Sequence, residues 1–299
     1  MRFDDSSVDT SQLEDRRGGG LGRGAAIGGG GAGLVGLLIY LVVAVLGGGD
    51  GTGANGTGSD GSGGAQPGTE QGTTGSEIAT RCNTAGALDH YDDCFVLKVF
   101  NEVNEVWTAQ FARAGQQYSD PRLVYFSDAV STGCGTASAQ IGPFYCPPDR
   151  RVFIDLGFLE QLQRDFGAQG RYAQAYIVAH EVGHHIQTIT GTEQRLREAQ
   201  NADPSRRNAL SVQLELQADC YAGVWSTLAN SAGNVTINEA ELDEALRAAE
   251  AVGDDRIQAS AGGRVDPESW THGSAEQRSE AFLNGYRGAS MAACDTVPA

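Results

Sequence analysis

Between Tyr172 and Ile186 the apolar residues recur at helical intervals: Tyr172, Ala175, Tyr176, Ala179, Val182 and Ile186. That spacing predicts an amphipathic helix with one stripe turned to a core. A second run, Leu214, Ala218, Tyr221, Ala222 and Trp225, predicts another helix. Phe95 to Arg113 keeps the same period through Val96, Val99, Phe100, Val103, Val106, Trp107 and Phe111, a third helix expected to cover the other two. Leu123 to Ser127 and Arg151 to Asp155, rich in β-branched and aromatic residues, read as short strands. Pro147-Pro148-Asp149 marks a turn between the approach from Phe144 and the second strand, and a helix begins near Leu156. Ser274, with Gln277 three residues on, forms a capping box that starts a helix through Leu283. Long helices beside short strands predict a mainly helical α+β domain with a small β-sheet.

The pattern changes completely in the first quarter of the chain. Gly33 to Leu46 is strongly apolar, and no charge occurs from Gly24 to Gly49. At 1.5 Å per residue, roughly twenty residues cross a bilayer's hydrocarbon core, so 24–48 predicts a transmembrane helix. Residues 1–23, with Asp4, Asp5, Asp9, Glu14 and Asp15, read as a disordered tail. Arg16, Arg17 and Arg23 precede the span, and no Lys or Arg follows it until Arg81. The positive-inside rule then places the N-terminus in the cytoplasm and the remainder outside the cell, a single-pass membrane protein. A cleaved signal peptide is the competing reading, and the long acidic segment ahead of the span argues against it. Residues 49–77, built almost wholly of Gly, Ser, Thr, Asp and a few other small or polar residues, predict a flexible tether with an r.m.s. reach of roughly 30 Å. Residues 78–299 remain as one domain, about 220 residues, enough to bury a sizeable core.

Cysteine usage fits that topology. Cys82, Cys94, Cys134, Cys146, Cys220 and Cys294 all follow the span, an even set suited to an oxidising compartment. Six cysteines allow fifteen connectivities, of which Cys82 to Cys94, Cys134 to Cys146 and Cys220 to Cys294 is the expected set. A net charge of -17 argues against nucleic acid as a partner and identifies no other.

The first helix carries the chemistry. His180 and His184 lie four apart with Glu181 beside the first, the H-E-x-x-H pattern. Four residues exceed one helical turn only slightly, so the two imidazoles stack on one face roughly 6 Å apart and can converge on one ion. Glu181 lies about 100° around the helix, placed to reach a water on that ion as a general base. Gly183, costly inside a helix by about 1 kcal/mol, suggests close approach of another element. A catalytic zinc takes three protein ligands and keeps one position open. The second helix offers the third: Glu215 and Asp219, four apart beside its apolar stripe, would be costly to bury unpaired. Glu215 is expected as ligand and Asp219 as the acceptor that holds the distal N–H of His180.

These residues resemble a family of neutral zinc metallopeptidases of bacteria, whose members carry A-H-E-x-G-H-H-x-Q followed by E-x-Q-A-D, here Ala179 to Gln187 and Glu215 to Asp219. The resemblance continues through Gly133-Cys134-Gly135, Gly142 to Pro147, Thr271 to Ser274 and Gln277-Arg278, covering roughly residues 78 to 295. It is similar, more distantly, to gluzincins, which implies a zincin-like domain. That likeness also implies a strand before the metal helix along which an extended peptide lies, for which Val152 to Asp155 is the candidate.

The expected activity is hydrolysis of peptide bonds by a zinc-bound water activated by Glu181, on a peptide or protein substrate the sequence does not identify. His272, just ahead of the Ser274 cap, is a candidate donor to the developing oxyanion. Arg278, in the first turn of that helix, is a second donor candidate, with a structural ion pair as its alternative, and His185 points to a structural hydrogen bond. The alternative is a noncatalytic, zinc-stabilised envelope binding or scaffold module, in which the ion is structural and Glu181 incidental.

Overall fold

A computed structural model describes residues 1–4, 7–17, 75–166, 170–262 and 264–295. The expected span at 24–48 and nearly all of the tether lie outside them. Among the described residues no helix is long and apolar enough to cross a membrane.

The chain begins with β1 (Arg2–Phe3) and β2 (Leu13–Asp15). From residue 75 follow α1 (Gly75–Cys82), α2 (Ala87–His90) and the long α3 (Asp92–Arg113). A β-rich stretch holds β3 (Arg122–Tyr125), β4 (Ala129–Thr132), β5 (Gly135–Ser138), β6 (Phe144–Cys146) and β7 (Arg151–Ile154). Helices complete the chain: α4 (Leu156–Phe166), α5 (Arg171–Ile189), α6 (Thr192–Ala202) and α7 (Arg207–Ala232), then after β8 (Val235–Thr236) α8 (Glu239–Ala251), α9 (Asp254–Ser260) and α10 (Ala275–Gly288). The mainly helical α+β architecture agrees with the sequence reading.

The described residues among 1–17 do not behave as the disordered tail expected over 1–23. β1 pairs antiparallel with β8 through Arg2 to Thr236 and Phe3 to Val235, and β2 pairs parallel with β3 through Leu13 to Leu123 and Asp15 to Tyr125. Val8 is buried, and its N–H donates to Asn83 Oδ1 at 2.8 Å. The charges that suggested a solvated tail are partners of buried charges: Asp4 meets Lys98, itself paired with Glu102, and Arg17 bridges Asp15 and Asp93. A low-hydrophobicity count cannot see such pairings, because the partners stand more than seventy residues away.

The four-stranded sheet runs β2-β3-β7-β6. β7 lies inside it, parallel to β3 and antiparallel to β6. The expected peptide-binding edge at Val152 to Asp155 is therefore not an edge; that position belongs to β6. Val152, Phe153 and Ile154 are all fully buried, the continuous apolar run of a strand covered on both faces. The β4–β5 hairpin is stapled to β6 by Cys134–Cys146, and Cys82–Cys94 and Cys220–Cys294 join the same elements the sequence paired. The Pro147 turn closes by Arg150 N–H donating to Pro147 O.

The helical core centres on α5. The single stripe expected there is too narrow a description: Gln174, His185 and Gln187 are buried along with the apolar positions. α3, α7 and α8 enclose it, and α10 packs on α7. A Cβ on Gly223 of α7 or Gly285 of α10 would collide with the other helix's main chain, so both glycines permit that contact.

Candidate metal centre

Gly183 explains how the two motifs meet. A Cβ added there would stand 3.0 Å from both Cα and O of Ala218. α5 and α7 are thus as close as backbones with an alanine between them allow, and residues on their facing turns converge. His180 Nε2 lies 3.2 Å from Glu215 Oε2, and His184 Nε2 lies 3.5 Å from Glu215 Oε1. One donor atom from each of the three falls within 4.8 Å of the others. Ligand atoms about 2.1 Å from an ion in tetrahedral arrangement stand about 3.4 Å apart. The two nitrogens and the carboxylate match that spacing, and the set is the one catalytic zinc accepts.

Asp219 is completely buried, and its carboxylate is fully used. Oδ1 lies 2.8 Å from His180 Nδ1 and accepts from Tyr176 Oη at 2.5 Å. Arg278 grips both oxygens, Nε to Oδ2 at 2.8 Å and Nη2 to Oδ1 at 3.0 Å. With Asp219 as an acceptor, Nδ1 of His180 carries a proton, and Nε2, facing Glu215, is the nitrogen left to bind a metal once the ring is neutral. The capping box of Ser274 and Gln277 sets the start of α10 and so the place from which Arg278 reaches in.

The electrostatics describe a site short of positive charge. Glu181, Glu215 and Asp219 are acids, and Arg278 alone opposes them permanently. Burial disfavours a charged His180, yet the charge and hydrogen bond of Asp219 outweigh it and push the ring up to about 10. Burial lifts the Glu181 carboxyl above its ordinary range, opposed by the two histidines and assisted by Glu215. Glu215, for which burial also acts upward, is nevertheless held well below the carboxylate range by His184 and His180. A divalent cation beside these groups would neutralise the three acids together with Arg278 and let both rings stay neutral.

The remaining histidines divide clearly. His185 points away from Glu215: Nε2 lies 2.6 Å from Ser119 O, so it carries the proton, and Nδ1 accepts from Tyr145 Oη at 3.0 Å. Burial lowers it to about 4, a structural residue as expected. His272 sits in the loop before α10, and a Cβ on the adjacent Gly273 would touch Val212 and Leu216, which flank Glu215 on α7. Its Nδ1 is 3.1 Å from Asp254 Oδ1. Asp254 Oδ2 accepts the N–H groups of Thr271, His272 and Gly273 at 2.8, 2.7 and 3.1 Å. One carboxylate thus shapes the loop and orients the ring.

Sequence reasoning missed Asp254 and the polar role of Tyr176. Tyr176 fell on the apolar stripe and looked like core. Asp254 follows a glycine at the start of a short helix, and nothing in its neighbourhood distinguishes it from an ordinary first-turn acid.

The site gathers the donor set of a zinc centre, and comparison with known proteins agrees. The chain belongs to the family described as "Putative neutral zinc metallopeptidase", which it matches over residues 1–297. That match takes in the N-terminal strands, beyond the stretch from 78 to 295 in which the motifs lie. Zn²⁺ is the cofactor the family implies. The chain is 40% identical over 226 residues to Uncharacterized protein YpfJ of Escherichia coli (strain K12), covering 75% of this chain and 78% of that one. It is also 40% identical over 230 residues to Uncharacterized protein Rv2575 of Mycobacterium tuberculosis (strain ATCC 25618 / H37Rv), covering 74% and 75%. No solved structure matches it.

Proposed function

We propose that this protein hydrolyses peptide bonds, with His180, His184 and Glu215 holding zinc and Glu181 acting as general base. The observation that carries this reading is the separation of the three donor groups, 3.2 and 3.5 Å, beside the buried Glu181 carboxylate on the helix of the two histidines. Zinc, when bound, lowers the pKa of a coordinated water from 15.7 towards ~7 and polarises a carbonyl. Glu181 takes the water's proton on its carboxylate and returns it to the leaving amine. Asp254 accepts from Nδ1 of His272 and orients the ring, and as an imidazolium the ring donates from Nε2 to the oxygen on which negative charge develops. As an outer strand of the sheet among the described residues, β6 is the candidate to pair with an extended chain.

A structural zinc site would ordinarily be closed by cysteines. Here all six cysteines are in disulfides, and the candidate trio contains none. That supports the catalytic reading over a zinc-stabilised scaffold.

The three disulfides also support an oxidising, extracytoplasmic setting for the domain, with 24–48 as its membrane anchor. Hydrogen-bonded strands occupy one side of a membrane. Because β1 and β2 pair with strands of the domain, a topology that leaves residues 1–23 in the cytoplasm would require both strands to be undocked.

The test is Glu181→Gln in the purified, zinc-loaded protein. Bound zinc should stay at the wild-type ratio, while cleavage of a peptide library falls by roughly 10² to 10⁴. Undiminished cleavage in that variant would refute the assignment.

A further inference from the structure

His180 is oriented by an anion, Asp219, but His184 is oriented by a chain of neutral amides. Its Nδ1 lies 2.9 Å from Gln187 Oε1. Gln187 Nε2 donates to the main-chain oxygen of Leu214 at 2.7 Å and to Gln217 Oε1 at 3.1 Å. Gln217 Nε2 donates in turn to Cys294 O at 3.0 Å. Both glutamines are buried, and Cys294 is bonded to Cys220, one residue after Asp219.

The direction of this chain follows from its ends. Leu214 O and Cys294 O are carbonyl oxygens, which can only accept. Each must therefore face an NH₂ group, which turns the oxygen of Gln217 to Gln187 and the oxygen of Gln187 to His184. An amide oxygen can only accept as well, so the proton of His184 resides on Nδ1, and Nε2 is left with its lone pair towards Glu215. Flipping Gln217 would set oxygen against Cys294 O and donor against donor at Gln187, and flipping Gln187 would set its oxygen against both Leu214 O and Gln217 Oε1. Two main-chain carbonyls, one on α7 and one in the segment after α10, thereby decide which nitrogen of His184 can bind a metal.

We propose that Gln187 and Gln217 are positioning residues of the metal centre, and that the Cys220–Cys294 disulfide belongs to it functionally by holding the far end of their relay. This rests on the reading that His180, His184 and Glu215 bind zinc. It gives the C-terminal segment a duty beyond closing the fold: it sets the tautomer of a ligand without touching it.

The experiment measures Zn²⁺ affinity of the full-length oxidised protein by competition with a chromophoric chelator. Visible absorption of the Co²⁺-substituted protein serves as a second signature, and circular dichroism confirms folding. Gln187→Leu should lower zinc affinity by roughly 10- to 100-fold, the usual effect of removing an outer partner of a ligand, and should alter the Co²⁺ spectrum. Gln187→Glu keeps an acceptor for His184 while facing Leu214 O without a donor, so it should bind zinc more tightly than Gln187→Leu despite the poorer packing. Gln217→Leu and the Cys220→Ala/Cys294→Ala pair should lower affinity in the same direction and by less. Wild-type affinity in folded Gln187→Leu, or in folded Gln217→Leu should the former not fold, would overturn the relay alone. A wild-type protein that binds no zinc would overturn the metal site itself.

Discussion

Arg278 and Asp219 form a buried pair whose value can be worked out before it is measured. Replacing Arg278 by Met preserves most of the side chain's volume and deletes two charge-assisted bonds to Asp219, at 2.8 and 3.0 Å. It also deletes donations to Val252 O at 3.2 Å and to Tyr176 Oη at 3.3 Å. Asp219 has no route to water, since it is completely buried, so its charge remains with only Tyr176 and His180 to answer it. Removing one partner of such a pair costs about 3 to 5 kcal/mol, most of it the penalty of the charge left behind. Asp219→Asn in the same chain removes that charge, so the double variant should regain about 2 to 3 kcal/mol of the loss. The assay is guanidinium unfolding of metal-free protein for wild type, both single variants and the double. A double variant no more stable than Arg278→Met would show that the stranded charge is not what the single change costs, and the electrostatic account of the site would fall with it.

Further outcomes follow from the same geometry. His272→Asn should retain zinc and lower kcat by about 10² to 10³, with Asp254→Asn showing a smaller loss in the same direction; an unchanged kcat would remove His272 from the reaction. His185 is buried neutral with its pKa lowered to about 4 from 6.5. The unfolded chain therefore binds the extra proton between those values, and stability, complete above pH 6.5, should fall by about 3 kcal/mol as pH drops to 4. His185→Gln, which cannot titrate there, should not share that part of the loss, and a wild-type-to-variant difference equal at pH 7 and 4.5 would contradict it. Deleting residues 1–17 strips Val8 from the core and Asp4 and Arg17 from their partners. Stability should fall by more than about 2 kcal/mol with zinc affinity kept, and an unchanged unfolding midpoint would mean that the docked arm contributes nothing.

Much of the site was legible because its parts are local. H-E-x-x-H on an amphipathic helix puts two imidazoles on one face by geometry alone, and Glu215 with Asp219 repeats the device on a second helix. Ser274 and Gln277 announce their helix start for the same reason: the capping box spans three residues. The disulfides were accessible through their short spacings, which left one pair over. Asp254, Tyr176 and the docked strands were not accessible, because each acquires its meaning from a partner eighteen to more than one hundred residues away.

By itself, then, the sequence determined which residues could bind a metal and which helices would carry them, since helical periodicity converts spacing into direction. Only the tertiary structure decided what surrounds those ligands: that Arg278 rather than solvent answers Asp219, that Asp254 holds His272, that β6 and not β7 is an outer strand of the sheet, and that residues 1–17 belong to the fold. The physical reason is the same in each case. A buried charge or an unpaired strand must be satisfied by some partner, but nothing in a local stretch of chain specifies which distant segment supplies it.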